Sequence, residues 1–195
     1  MSSLQPETIQ DACDALARGE VVGVPTDTVY GLAIDPLKRD AYALLYAAKR
    51  RAPEKAIPLL VADTDQARQV GAPGELAQHL MDTHWPGGLT IVVMRHRDAP
   101  VHIGDPVTST IALRAPDHPV ALELLRAYGP LAVTSANISG EPPANDAAEA
   151  RPVFGTTVAA YLDGPGAVGT PSTVVDATGE ELLVLRKGAV EIEAT

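Results

Sequence analysis

Cysteine occurs once in this chain, at Cys13, which excludes an internal disulfide and a zinc site built on cysteines. Cys13 falls on the apolar face of a predicted helix, where inert burial is its expected role. Aromatic residues make up only 4%, so the core must be aliphatic and alanine-rich, and no run of stacking side chains exists for single-stranded nucleic acid. Positive charge is scarce as well. Lys and Arg number 15 against 25 Asp and Glu, and a formal charge of -10 opposes a broad phosphate-tracking surface. No window approaches the roughly 18 apolar residues of a membrane helix, and MSSLQPETIQ has no basic segment leading into an apolar run. A cytoplasmic protein is expected, and the sequon Asn137-Ile138-Ser139 then carries no meaning.

Several chemical signatures are missing too. GxxxxGK[ST] and GxSxG do not occur, which removes a Walker phosphate loop and the usual esterase elbow. Gly164-Pro165-Gly166-Ala167-Val168-Gly169 satisfies GxGxxG. A dinucleotide site needs a helix to open right after it, however, and Pro171 followed by Thr173-Val174-Val175 dictates a strand instead. The histidines, His79, His84, His96, His102 and His118, lack metal-ligand spacing, so each is expected to be a surface or satisfied residue.

What is present suits an α/β protein. A chain of 195 residues with 46% hydrophobic content is the size of one domain, here 1–195, and can bury a substantial core. Helices are predicted over Pro6–Arg18, Ala41–Arg50, Thr64–Val70, Gly74–Thr83 and Pro119–Tyr128, with a short helical turn over Asp146–Ala150. Strands are predicted over Val21–Val24, Ile57–Val61, Leu89–Met94, Thr110–Leu113, Leu131–Val133, Val158–Leu162, Thr173–Val175 and Leu182–Leu185. Pro58 puts the second of these at a sheet edge or makes Pro58 its first residue. Helices and strands alternate and then strands dominate, which predicts a mixed sheet flanked by helices.

Polar and cationic residues gather where strands end. Pro25-Thr26-Asp27-Thr28-Val29-Tyr30-Gly31-Leu32 follows the first strand, Arg114 ends another, Ser135 and Asn137 follow a third, Ser172 opens a fourth and Arg186 closes the last. Each has a plain explanation as a turn, a cap or a surface ion pair worth under about 1 kcal/mol. Lys49 and Arg50 could simply complement a helix C-terminus. Together, though, these residues describe a polar cleft able to hold anions, because arginine captures carboxylate and phosphate bidentately and lysine supplies a mobile point charge.

The ordered landmarks resemble the YrdC-like threonylcarbamoyl-AMP synthase family in its single-domain form. They are Pro25 to Leu32, the K-x-R of Lys49-Arg50-Arg51, Trp85-Pro86-Gly87 before Leu-Thr, Ala112-Leu113-Arg114-Ala115-Pro116-Asp117-His118-Pro119, the S-x-N of Ser135-Ala136-Asn137, Pro171-Ser172-Thr173, and Leu185-Arg186 before Lys-Gly. The resemblance runs from about Thr8 to Val190. It implies a twisted mixed sheet with a concave cleft and a nucleotidyltransferase, an L-threonylcarbamoyladenylate synthase. That enzyme converts L-threonine, bicarbonate or CO2, and ATP to threonylcarbamoyl-AMP and pyrophosphate.

Under the same resemblance Lys49, Arg51, Ser135 and Asn137 form the catalytic tetrad of the nucleotide site. Lys55, Thr110, Asn145 and Arg186 join it in holding ATP, while Thr26, Arg114, Ser135 and Ser172 hold threonine. Mg2+ is implied as held mainly by ATP phosphates and water, with no protein-built metal site. Further proteins would transfer the threonylcarbamoyl group to tRNAs reading ANN codons, with weak or no direct tRNA binding and no membrane partner. A nucleotide- or double-stranded-RNA-binding paralogue without this activity is the other reading of the same fold. The sequence departs from the family pattern at Ala52, Leu60 and Gly88.

Overall fold

The computed structural model describes residues 7–50, 56–165, 167 and 169–192. Thr8 opens α1 (Ile9–Ala17) with a capping box: its hydroxyl accepts from Asp11 N while the Asp11 carboxylate accepts from Thr8 N at 2.8 Å. After β1 (Val21–Val24) the chain makes the Pro25–Tyr30 turn and returns as β2 (Gly31–Ile34), antiparallel to β1. The remaining elements are α2 (Arg39–Lys49), β3 (Leu59–Leu60), α3 (Thr64–Val70), β4 (Gly71–Ala72), α4 (Glu75–His84), β5 (Leu89–Arg95), β6 (Thr110–Arg114), α5 (Pro119–Tyr128), β7 (Leu131–Ser135), α6 (Ala147–Phe154), β8 (Val158–Tyr161), β9 (Thr173–Asp176) and β10 (Leu183–Arg186).

The expected mixed sheet forms, in the order β10-β9-β5-β6-β3-β7-β2-β1-β8, with β4 pairing beside β5. β1 with β8, β3 with β6 and β5 with β9 are parallel, and the other neighbours run antiparallel. No helix follows the glycine-rich segment, since Thr173 enters β9.

The structure corrects several boundaries. β2 and β4 were not expected, because Gly31-Leu32-Ala33-Ile34 reads as the tail of a turn and Gly71-Ala72 is too short to carry alternation. β3 lies centrally between β6 and β7, not at an edge; it begins right after Pro58, whose missing N–H costs no ladder bond while its carbonyl accepts from Val133 N at 3.0 Å. β7 extends to include Ser135. α6 runs past Ala150 to Phe154 through Pro152.

The two faces of the sheet have different fates, set by period-2 alternation. On one face Leu32, Ile34, Leu59, Ile91, Leu113 and Val175 pack under α2, α3, α4 and α6. On the other, Val22, Val24, Ala33, Leu60, Leu131 and Val133 pack under α1 and α5. Those two helices cover the β7-β2-β1-β8 side only. The same face of β5, β6, β9 and β10 is left without a helical layer, and its residues are half-buried: Val92, Thr110, Ala112, Val174 and Asp176.

Tyr30 ties the turn to the rest of the molecule. Its ring is fully buried and its hydroxyl donates to Leu162 O at 2.9 Å, while its backbone N–H donates to Ala144 O at 2.9 Å and its carbonyl accepts from Ala136 N at 2.8 Å. The ring occupies the space left by Gly23, where a Cβ would stand 2.7 Å from Tyr30 Oη and 3.0 Å from Tyr161 Cδ1. Gly23→Ala overpacks this junction and is expected to destabilise the fold by about 1–3 kcal/mol, read as a lowered urea midpoint with an unchanged slope.

Candidate active site

The uncovered face forms the floor of a cavity of about 620 Å3, within the range of small-molecule sites. Thr110, Ala112 and Arg114 contribute from β6, Thr90 and Val92 from β5, and Val174 and Asp176 from β9. Leu60, Gly31, Val133 and Ser135 line the opposite side, and the Thr26 to Val29 turn, Ser172 and Arg186 close the rim. A second depression of about 720 Å3 along α2, lined by Tyr42, Tyr46 and Arg50 among others, meets this cavity at Ala56, Gly104 and Asp105.

Arg114 is the best-anchored cation in the cleft. It is 5% exposed, and its register partner on β3 is Leu60. Nε donates to Gly87 O at 2.9 Å, Nη1 donates to Thr28 Oγ1 at 2.6 Å and Nη2 donates to Asp27 Oδ1. Three of the five guanidinium N–H groups are thereby fixed, leaving one on each Nη nitrogen. Burial pushes the group below its ordinary pKa; the Asp27 charge and hydrogen bond oppose that, and Arg186 adds to it. An arginine nonetheless stays protonated at neutral pH. The Gly87 carbonyl is aimed by the Trp85-Pro86-Gly87-Gly88 turn, whose Trp85–Pro86 peptide is cis and in which Gly87 N donates to Ala115 O at 2.8 Å.

Asp27 braces Arg114, whereas the turn itself is held by Thr26. The Thr26 hydroxyl donates to Val29 O at 2.6 Å and accepts from Thr28 N at 3.2 Å and Val29 N at 3.3 Å. It lines the cleft with its hydroxyl proton already committed inside the turn. Thr28 lines the cleft, whereas Asp27 pairs with Arg114 without lining the cavity.

Arg186 closes the other side. Nη2 donates to Ser172 O at 2.8 Å and to Ser172 Oγ at 3.0 Å, and Nε donates to Ser172 O at 3.1 Å. Ser172 Oγ also pairs with Thr90 Oγ1 at 2.8 Å, which makes Thr90 a cleft residue that sequence reasoning missed. Its signals were a hydroxyl set in the otherwise aliphatic strand Leu89 to Met94 and its place in the Leu-Thr that follows Trp85-Pro86-Gly87. Burial lowers the pKa of Arg186, yet among the described residues no carboxylate pairs with it. Gly188 lets the chain pass behind this group, since a Cβ there would fall 2.2 Å from Pro171 O and 2.5 Å from Ser172 O.

Lys49, Ser135 and Asn137 converge as one cluster. Lys49 is 2% exposed, and its ammonium donates to Ser135 O, to Asn137 O at 2.8 Å and to Asn137 Oδ1 at 3.0 Å. Ser135 Oγ donates to the same Oδ1 at 2.6 Å, and Asn137 Nδ2 donates to Glu141 O at 2.8 Å. Lys49 therefore binds the turn after β7, rather than only complementing its own helix. Of these three, Ser135 lines the cavity. Thr110 lines it too, 2.7 Å from Thr108 Oγ1. Asn145 does not; its backbone and side-chain N–H groups bond Glu149 at the start of α6. Arg51, Lys55 and Ala52 lie outside the described residues. Leu60 is buried beside Arg114, and Gly88 leaves room for Ala189, whose Cβ is 2.9 Å from where a Cβ of residue 88 would stand.

His118 departs from the expectation of a surface or satisfied histidine. It is 4% exposed, with Nε2 3.2 Å from Pro165 O and with Nδ1 buried and without a partner among the described residues. A carbonyl only accepts, so Nε2 carries the proton. No group of three His, Cys, Asp or Glu side chains among the described residues could hold a metal ion. No helix among them is long and apolar enough to cross a membrane.

A family model described as "Telomere recombination", covering Sua5, YciO and YrdC, matches residues 14–188. The chain is 37% identical over 183 residues to the threonylcarbamoyl-AMP synthase of Coxiella burnetii, covering 92% of this chain and 97% of that protein. It is 36% identical to the Bacillus subtilis threonylcarbamoyl-AMP synthase over 99% of its own length but only 56% of the relative's. Among solved structures, P. abyssi Sua5 complexed with L-threonine superposes with a TM-score of 0.86 at 32% identity, over 92% of this chain and 54% of that one. E. coli YciO shares the fold with a TM-score of 0.86 at 24% identity, over 94% and 90% of the two chains. The chain spans about half the length of the P. abyssi protein. On the family match and on the relatives' identity and coverage, the chain belongs to the Sua5/YciO/YrdC family.

Proposed function

We propose that this chain is an L-threonylcarbamoyladenylate synthase. The observation that carries the reading is a cleft lined by two fixed arginines, one paired with a carboxylate and one not. Arg114 is buried and held on three sides, with one N–H left on each Nη nitrogen for a carboxylate. On the far side of Ser172, Arg186 offers a cation that no described carboxylate compensates. Relatives at 36–37% identity are named threonylcarbamoyl-AMP synthases, and the P. abyssi neighbour was solved with L-threonine.

In the proposed reaction the amine nitrogen of threonine bonds to carbon dioxide and loses a proton, giving a carbamate. A carbamate oxygen then attacks the α-phosphorus of ATP in line, and the bond to the β-phosphate oxygen breaks to release pyrophosphate. No side-chain nucleophile is needed, so catalysis rests on positioning and on cations at developing charge. Arg114 orients the amino acid. Ser172 and Thr90 present hydroxyls beside it, and Thr26 and Thr28 form the wall. Lys49, Ser135 and Asn137 are assigned to the nucleotide with Thr110 and Arg186, and the family resemblance adds Arg51, Lys55 and Asn145 as ATP contacts. Mg2+ would enter with ATP, held mainly by phosphate oxygens and water. The product passes to proteins that modify tRNAs reading ANN codons.

Mixing the protein with ATP, threonine and bicarbonate is expected to yield threonylcarbamoyl-AMP by mass spectrometry, and its absence would overturn the reading. Arg114→Lys keeps the charge but loses the planar fork, and should raise the KM for threonine about 10- to 100-fold. Lys49→Ala removes the donor that binds Ser135 and Asn137 and should slow ATP- and threonine-dependent pyrophosphate release by roughly 10²–10³. An unchanged rate would remove Lys49 from the site.

A further inference from the structure

The cleft holds two arginines in unequal electrical states, and that inequality rests on one side chain. Arg114 carries Asp27 as its counter-ion, so the pair is formally neutral beside the cavity. Arg186 is held by the Ser172 carbonyl and hydroxyl, which orient it without neutralising it. Both ligands of the proposed reaction are anions and must share the cleft, one as an α-carboxylate and the other as a polyphosphate. Equal arginines would bind the more highly charged ligand at both ends.

We infer that Asp27 is a positioning and specificity residue: its carboxylate holds the Arg114 fork in place and reserves it for an amino-acid carboxylate, leaving phosphate to Arg186. The repulsion from Asp27 scales with ligand charge, so a phosphate dianion feels about twice what a carboxylate monoanion feels at the same place. The carboxylate recovers its share through two parallel hydrogen bonds to a fork already held by Gly87, Thr28 and Asp27. Asp27 reaches no cavity surface itself, so its effect passes through Arg114.

This inference rests on the proposed function but fails separately from it. Calorimetry of L-threonine binding, with and without inorganic phosphate, reads it without turnover. In the wild-type protein, phosphate is expected to weaken ATP binding while changing threonine affinity by less than about twofold. In Asp27→Asn, which keeps an acceptor for Nη2 but loses the charge, the same phosphate should weaken threonine binding by about fivefold or more. Asp27→Ala should show the same phosphate sensitivity on top of weaker threonine binding, since the fork is no longer held. A merely structural Asp27 would alter affinity or melting temperature without creating phosphate competition. Equal phosphate sensitivity in wild type and Asp27→Asn overturns the inference. So does a wild-type protein in which phosphate displaces threonine as readily as ATP, a result that needs no variant to fold. Absence of any threonine binding to the wild type instead overturns the functional reading.

Discussion

A guanidinium sealed from water must be paired, and that requirement at Arg114 organises the cleft. Leaving such a charge without its partner costs about 3–5 kcal/mol. The fold meets the demand by bringing three distant segments to one group: Asp27 and Thr28 from the turn after β1, Gly87 from the turn before β5, and Arg114 from the end of β6. Tyr30 anchors the first of these through Ala136, Ala144 and Leu162, which couples the arginine's support to the segment that carries Asn137.

The second organising fact is the asymmetry of the sheet. One face is covered throughout, while α1 and α5 cover only part of the other. Strand alternation then decides roles residue by residue. In β6, Ile111 and Leu113 point to the covered side and Thr110, Ala112 and Arg114 to the open one. A cleft built this way sits on ladder hydrogen bonds rather than on loops, so its floor is fixed before any ligand arrives.

Much of this was legible in the sequence, and the parts that were not share a cause. α3 and α5 were readable from periodicity and from the stops that bound them, and the alternation of helices and strands gave the fold class. β2 was hidden because four apolar residues right after a turn carry no period of their own. The central place of β3 was hidden because proline usually marks an edge, and nothing local says that its carbonyl is wanted by β7. Candidate site residues were recognisable as strand-end hydroxyls and cations. Their partners were not, because Asp27 and Arg114 lie 87 positions apart and Lys49 and Asn137 lie 88 apart. Pairing over such distances is a property of topology, which residue types alone do not reveal. The partner of His118 was hidden for the same reason: the carbonyl that its Nε2 meets comes from Pro165.

The partial covering of the sheet has a further consequence. A layered fold is complete when each sheet face has something packed on it. Here β5, β6 and β9 present Val92, Ala112 and Val174 to solvent on a face where the neighbouring strands have helices. A ligand seated in the cleft supplies that missing layer, so occupancy and folding draw on the same surface. The protein's stability is then a reporter of its metabolic surroundings, rising with the logarithm of free ligand concentration once the cleft begins to fill.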